Sequence, residues 1–168
     1  MNIAATARRI LIAIIAVLAS TFAVVGGTTA SADAATSSLT YARSIAPDDY
    51  EVRVVRWVNR ERAARGLAPV RGHSCTDYYA ERWSRYLGAN LEFFHQNLDP
   101  FFDKCKAVYA GETLARGAVT PKEIVKLWMN SPGHRAILLS KNPRRIGVGA
   151  YLDSRGDWLV AADFTRFA

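Results

Sequence analysis

The sequence contains no H-E-x-x-H, no G-x-S-x-G, no P-loop and no G-x-G-x-x-G. The single-motif routes to a zinc peptidase, a serine hydrolase, a nucleotide hydrolase or a dinucleotide enzyme are therefore absent. No period of about 20–50 residues repeats along the chain, which argues against a solenoid. Cysteine is scarce, with Cys75 and Cys105 alone, so this is not a disulfide-dense miniature scaffold. Acidic residues are outnumbered 15 to 22 by basic ones. Many basic residues sit next to acids, as in Arg60-Glu61-Arg62 and Glu81-Arg82. They form no stripe with interleaved aromatics along the sequence, so nucleic acid is not an expected partner.

What is present begins with an export signal. Arg8 and Arg9 precede an uncharged apolar run from Ile10 to Val25, and small residues follow through Ala32. That order is the charged, apolar and cleavable pattern of a secretory leader over residues 1–32, with cleavage expected after Ala32 or Ala34. The competing reading is an uncleaved anchor, although the run is short for a span of ~20 residues. No cysteine lies near the cut to take a lipid. Without the leader, 20 basic residues face 14 or 15 acidic ones, a balance suited to an anionic envelope or simply to a soluble basic surface.

Half of the residues are hydrophobic, enough for one packed domain. Residues 33–46 are rich in Ser, Thr and Ala and read as a linker, with the domain occupying 47–168. In an oxidising compartment Cys75 and Cys105 are expected to pair, closing a loop worth roughly 3–4 kcal/mol in the chain-entropy model. The alternative is Cys75 as a nucleophile with His73 nearby.

Helical spacing of Val54, Trp57 and Val58 predicts a first helix, with Asp48 and Asp49 in its first turn and Gly66 at its end. Ser74 predicts the start of a second helix with a Tyr79, Trp83, Tyr86 (or Leu87) stripe, ended by Gly88. The aromatic, aperiodic stretch from Leu91 to Lys106 allows one short strand ending near His95, then a loop. Thr120-Pro121-Lys122-Glu123 carries a capping box, and Ile124, Leu127 and Trp128 follow at helical spacing. Ser131-Pro132 starts another helix bearing His134, Ile137 and Leu138 (or Leu139). Arg145–Leu152 and Trp158–Thr165 alternate as a hairpin. Gly147 and Gly149 leave bare backbone on one face, which predicts close approach by another element. Helices before and between strands point to an α+β sandwich.

His95, Glu112 and His134 are the candidates for metal chemistry, because two imidazoles and one carboxylate can hold zinc and leave a fourth position for water. His134, third in a capped helix, is expected to stay neutral. Their separations of 17 and 22 residues do not by themselves define a site. His73 reads as a surface residue.

Five segments then resemble one known family. Val55-x-x-Val58-Asn59-x-x-Arg62-x-x-x-Gly66-Leu67-x-Pro69-Val70 resembles the opening helix and turn of the CAP superfamily, which includes the cysteine-rich secretory, antigen 5 and pathogenesis-related proteins. Gly111-Glu112-Thr113-Leu114-Ala115-Arg116-Gly117 is similar to its GENIAxG segment. Trp128-Met129-Asn130-Ser131-Pro132-Gly133-His134-Arg135 is similar to its bacterial W…GH segment. Arg145-Ile146-Gly147-Val148-Gly149 and Asp163-Phe164 fit its last two strands. The resemblance spans roughly residues 50–166.

It implies a three-layer α-β-α sandwich with a central antiparallel sheet and a cleft that can hold a divalent cation, often zinc. Of the family's two His and two Glu, the positions His95, Glu112 and His134 carry over. Ser131 stands where eukaryotic members have the second Glu, Thr113 replaces the usual Asn, and Ile137 replaces another. Asn59 and Arg62 carry structural roles in that pattern. Ser131, Phe101, Phe102 and Tyr109 are expected to line the cleft or an apolar groove. The expected function is a secreted binding module for a lipid or sterol, for an anionic cell-envelope polymer or for a protein partner. One alternative is a zinc-dependent, peptidase-like hydrolase using His95, Glu112 and His134. Such an enzyme needs a separate general base that the sequence does not offer, so binding is favoured over catalysis. Another is a protein held on the cell wall by its charge.

Overall fold

The structure, a computed structural model, describes residues 29–168. The charged and apolar parts of the expected leader lie outside the described residues. Among the described residues, no helix is long and apolar enough to cross a membrane.

The chain runs α1 (Thr29–Ser44), α2 (Pro47–Ala63), β1 (Arg71–Gly72), α3 (Ser74–Asn90), α4 (Asp99–Asp103), β2 (Ala107–Gly117), α5 (Pro121–Asn130), α6 (Pro132–Leu138), β3 (Arg145–Leu152) and β4 (Trp158–Phe167). The sheet order is β1-β3-β4-β2, with β3, β4 and β2 antiparallel and the two-residue β1 parallel to β3. α2 and α5 cover one face of the sheet and α3 the other, giving the expected α-β-α layers.

The expected linker at 33–46 is largely helical and enters the core. Ala42 is fully buried and Ile45 nearly so. The Trp158 indole N–H donates to Ala42 O at 2.9 Å, and Arg43 reaches the Gly156 carbonyl. Alanine is a good helix former, and its small side chain lets the indole reach the backbone.

α2 buries Tyr50, Val54, Val58 and Arg62 along one stripe. The Arg62 guanidinium donates to the carbonyls of Ala68, Leu138 and Ser140, which joins α2 to the end of α6. Asn59 clasps Val70 with both halves of its amide. On α5, Ile124, Val125 and Trp128 turn inward and Leu127 faces solvent. Its capping box is present: the Glu123 carboxylate accepts from the Thr120 N–H and hydroxyl, and those bonds hold its pKa below the usual range. These inward residues meet Ile146, Val148, Ala150, Val160 and Phe164 in the main core.

Of its predicted stripe α3 fully buries only Leu87. Its buried residues are Thr76, Ala80, Ser84, Leu87 and Gly88, nearly all small. Tyr78 and Tyr86 are about half exposed. The cause is the bare glycine face of β3. A Cβ on Gly147 would overlap the Asp77 backbone, and one on Gly149 would overlap Ala80 and Glu81 backbone atoms. Over these glycines the helix lies on the sheet backbone to backbone, so small residues sit there, while Leu87 near its end packs against Leu114, Leu159 and Ala161. Gly88 does not end α3. It lies under the Tyr151 ring, with no room for a Cβ, and the helix continues to Asn90 before Leu91 turns left-handed at φ 58°.

The Cys75–Cys105 disulfide forms, with Cα atoms 5.8 Å apart. The short strand expected near His95 does not form. Residues 92–98 carry no regular secondary structure, and α4 follows.

Candidate functional site

Cross-strand register builds the site. Gly147, Asp163 and Glu112 stand abreast on β3, β4 and β2, all on the face that α3 covers. Two carboxylates are therefore direct neighbours, a pairing that like charges disfavour. Both are buried. The loop before α4 wraps over β2 and supplies the compensation. Gln96 Nε2 donates to Glu112 Oε2 at 2.7 Å and to both Asp163 oxygens, at 2.9 and 3.1 Å. The Gln96 N–H and His95 Nδ1 both meet Glu112 Oε1, the latter at 2.5 Å.

An amide nitrogen carries two hydrogens, and here it faces three acceptor oxygens. Gln96 alone therefore cannot support two full negative charges. Burial pushes the Asp163 carboxyl well above its ordinary value, the neighbouring Glu112 adds to that rise, and the Gln96 bond opposes it. Burial also raises Glu112, opposed by its bonds to His95 and Gln96. The pair favours holding a proton.

His95 is exposed through most of its ring. With Nδ1 committed to Glu112, its Nε2 is the free nitrogen. His134 enters from α6, with ring centroids 6.3 Å apart. Burial and the neighbouring His95 lower its pKa, which keeps it neutral. Among the described residues, no three His, Cys, Asp or Glu side chains converge as a metal-holding group. Both Glu112 oxygens accept hydrogen bonds in this arrangement, and the bond at His95 Nδ1 lets Glu112 orient the His95 ring.

The remaining expected residues take varied places. Ser131 is the half-buried residue at the α5–α6 junction. Phe101 is fully buried beside the disulfide, so it lines no groove, whereas Phe102 is exposed. Tyr109 is half-buried against the main core. His73 is half-buried and stacks on Phe167 at 4.1 Å. Sequence reasoning missed Gln96 and did not single out Asp163 as a site residue. A lone acid inside the apolar run Trp158–Phe164 was the available signal.

A second feature adjoins this cluster. Trp83 and Tyr86 stack at 5.2 Å, and Phe94 meets Trp83 edge-on at 5.0 Å. The Trp83 indole N–H donates to the Phe94 carbonyl. Tyr79, Arg82, Trp83, Tyr86, Gln96 and Pro100 line an open cleft of about 300 Å³. Gln96 thus forms part of its wall and also bridges the two acids.

Known proteins share this framework. The model of the cysteine-rich secretory protein family (CAP) matches residues 55–163. An uncharacterised protein of Bacillus subtilis, YkwD, is 37% identical over 140 residues, which cover 77% of this chain and 54% of that protein. The chain thus spans about half the length of that relative. An extracellular Bacillus anthracis protein containing an SCP domain superposes with TM-score 0.64 at 23% identity, covering 71% of this chain and 41% of that one. An outer surface protein of Borrelia burgdorferi gives 0.61 at 18% identity, covering 68% and 90%. These two likenesses show the fold. With the family pattern matched from α2 to Asp163, the chain belongs to the cysteine-rich secretory protein (CAP) family.

Proposed function

We propose that this protein is a secreted, non-catalytic binding module that takes the apolar face of a lipid or sterol into the cleft between α3 and the His95 loop. The observation carrying this reading is the aromatic cluster of exposed Tyr86 and Phe94 with half-buried Trp83, beside a cleft that shares Gln96 with the buried acid pair. Contiguous exposed rings are uncommon on a monomer unless something covers them. Rings supply apolar contact area, while Arg82 and the Gln96 amide offer polar anchors for a headgroup or hydroxyl. The leader-like sequence and the extracellular relatives support export.

Titration with a fluorescent fatty acid or sterol tests it. Saturable uptake by the wild type is expected, weakened at least about tenfold in Tyr86→Asp, with unchanged circular dichroism. Equal uptake by the variant, or none by the wild type, would sink the reading.

The His95–Glu112 pair favours a second reading, hydrolysis. A buried carboxylate orienting an exposed imidazole is a base-and-orienter arrangement. Zinc is the cofactor this reading expects, with His95, Glu112 and His134 as the residues that would hold it. Calorimetric zinc titration beside His95→Ala and His134→Ala, together with peptide cleavage by Glu112→Gln, separates the two. A single zinc site lost in both His variants, with cleavage abolished in Glu112→Gln, would favour the hydrolase.

A further inference from the structure

Residues that look scattered in the sequence come together on the outer side of the α2–α5 layer. Arg56 and Arg60 project from α2, Lys122 and Lys126 from α5, and Arg135 from α6, all exposed. They surround Trp57. The Arg60 guanidinium lies over its ring at 4.4 Å and the Lys122 ammonium at 5.2 Å. Two clefts of about 450 and 340 Å³ meet along Trp57 and Lys122. The acid on the wall, Glu61, is already paired with Arg65. Among the described residues, none of the five cations named above forms an ion pair.

We infer that this groove binds a linear, phosphate-bearing polymer that lacks stacking bases. Five like charges held within one groove repel each other, and an anionic chain laid along it relieves that repulsion by releasing its own counterions. The concave and continuous shape suits a chain better than a flat bilayer. Single-stranded nucleic acid relies on open aromatic faces for stacking, and here two cations already lie over the Trp57 ring. A guanidinium over the indole remains free to present its fork to phosphate oxygens. The site lies on the opposite layer from the aromatic cleft and does not depend on that reading.

The test is binding of long-chain inorganic polyphosphate to the oxidised protein across a salt series. The wild type should bind with a log K against log salt slope of about −3, the value for roughly four neutralised charges. Arg56→Gln/Lys126→Gln should bind at least about tenfold more weakly, with a slope shallower by about 1.5. The control is Arg71→Gln/Arg144→Gln, a second cationic cluster flanking Pro69. It should bind like the wild type. Equal losses in both variants would reduce the effect to diffuse net charge and overturn the inference. So would tighter binding of oligothymidylate than of polyphosphate, binding only to phosphatidylglycerol vesicles, or no binding. All four positions are exposed, and thermal melts would confirm that both variants fold.

Discussion

The two helical layers press on the same sheet in opposite ways. α2 and α5 stand off from it on large side chains: Val54, Val58, Ile124 and Trp128 fill the gap to Ile146 and Val148. α3 lies directly on backbone, over Gly147 and Gly149, with Thr76, Ala80 and Ser84 beneath it. The first layer uses its apolar stripe as core and shows solvent mostly charge. The second makes contact mostly through small residues and Leu87, so Tyr79 and Trp83 are only half-buried and Tyr78 and Tyr86 remain exposed. The aromatic cleft and the basic groove thus follow from how each layer is packed.

The strongest way to break this contrast is Gly149→Val. Its side chain would push into the Ala80 carbonyl, which belongs to a helix backbone and has no rotamer to change. Overpacking against such a wall should cost at least about 3 kcal/mol, read as a lowered urea midpoint. Val148→Ala, one residue away on the other face, only leaves a cavity among side chains and should cost ~2 kcal/mol. A Val148→Ala cost equal to that of Gly149→Val would remove the distinction between the layers.

Next in size is the covalent tie, which serves the α3 layer alone. Replacing Cys75 and Cys105 by Ser should cost about 3 kcal/mol through the longer-range freedom of the unfolded chain. The α2 layer has a polar tie in its place. Arg62→Met should cost about 2–3 kcal/mol, because the buried carbonyls of Leu138 and Ser140 lose their donor. Denaturant melts of both variants measure whether the two ties are comparable.

Local signals were the ones the sequence made legible. The Thr120–Glu123 capping box, the 145–165 hairpin and the glycine face of β3 each depend on a few adjacent residues. β2 was not legible as a strand, because Ala110, Gly111, Ala115 and Gly117 carry little β preference and its identity comes from pairing with β4. The aromatic members of the α3 stripe were misread because large apolar side chains usually turn inward, and only the glycines of β3, some 60 residues on, reverse that. Within the site, Glu112 and His95 were visible as chemistry-bearing types. The Glu112–Asp163 pair required the register, and Gln96 is ordinary in sequence until it lies between two acids. The basic groove draws on three helices, so no linear stripe announced it.

Each layer also sends one carboxylate to the same open edge of β3, beyond the short β1. Asp77 of α3 accepts from the Val148 N–H at 3.1 Å, and Glu51 of α2 accepts from the Ala150 N–H at 2.8 Å. Such bonds occupy donors that would otherwise invite another strand. Glu51 is half-buried. Burial raises its pKa to about 7, the bond from Ala150 opposes the rise, and Glu81, Asp77 and Asp48 add to it. Between about pH 4.5 and 7 the folded chain therefore holds a proton that the unfolded chain has released. Stability from this group is fully present below about 4.5 and is lost as pH climbs through 7. Glu51→Gln keeps an acceptor for Ala150 and removes the charge. It should leave the melting midpoint at pH 4.5 unchanged and raise stability at pH 8. Glu51 is only partly shielded from water, so the gain should be about 0.5 kcal/mol after screening. An equal gain at both pH values would assign the effect to packing and not to the charge that Glu51 brings to the α2 side of this edge.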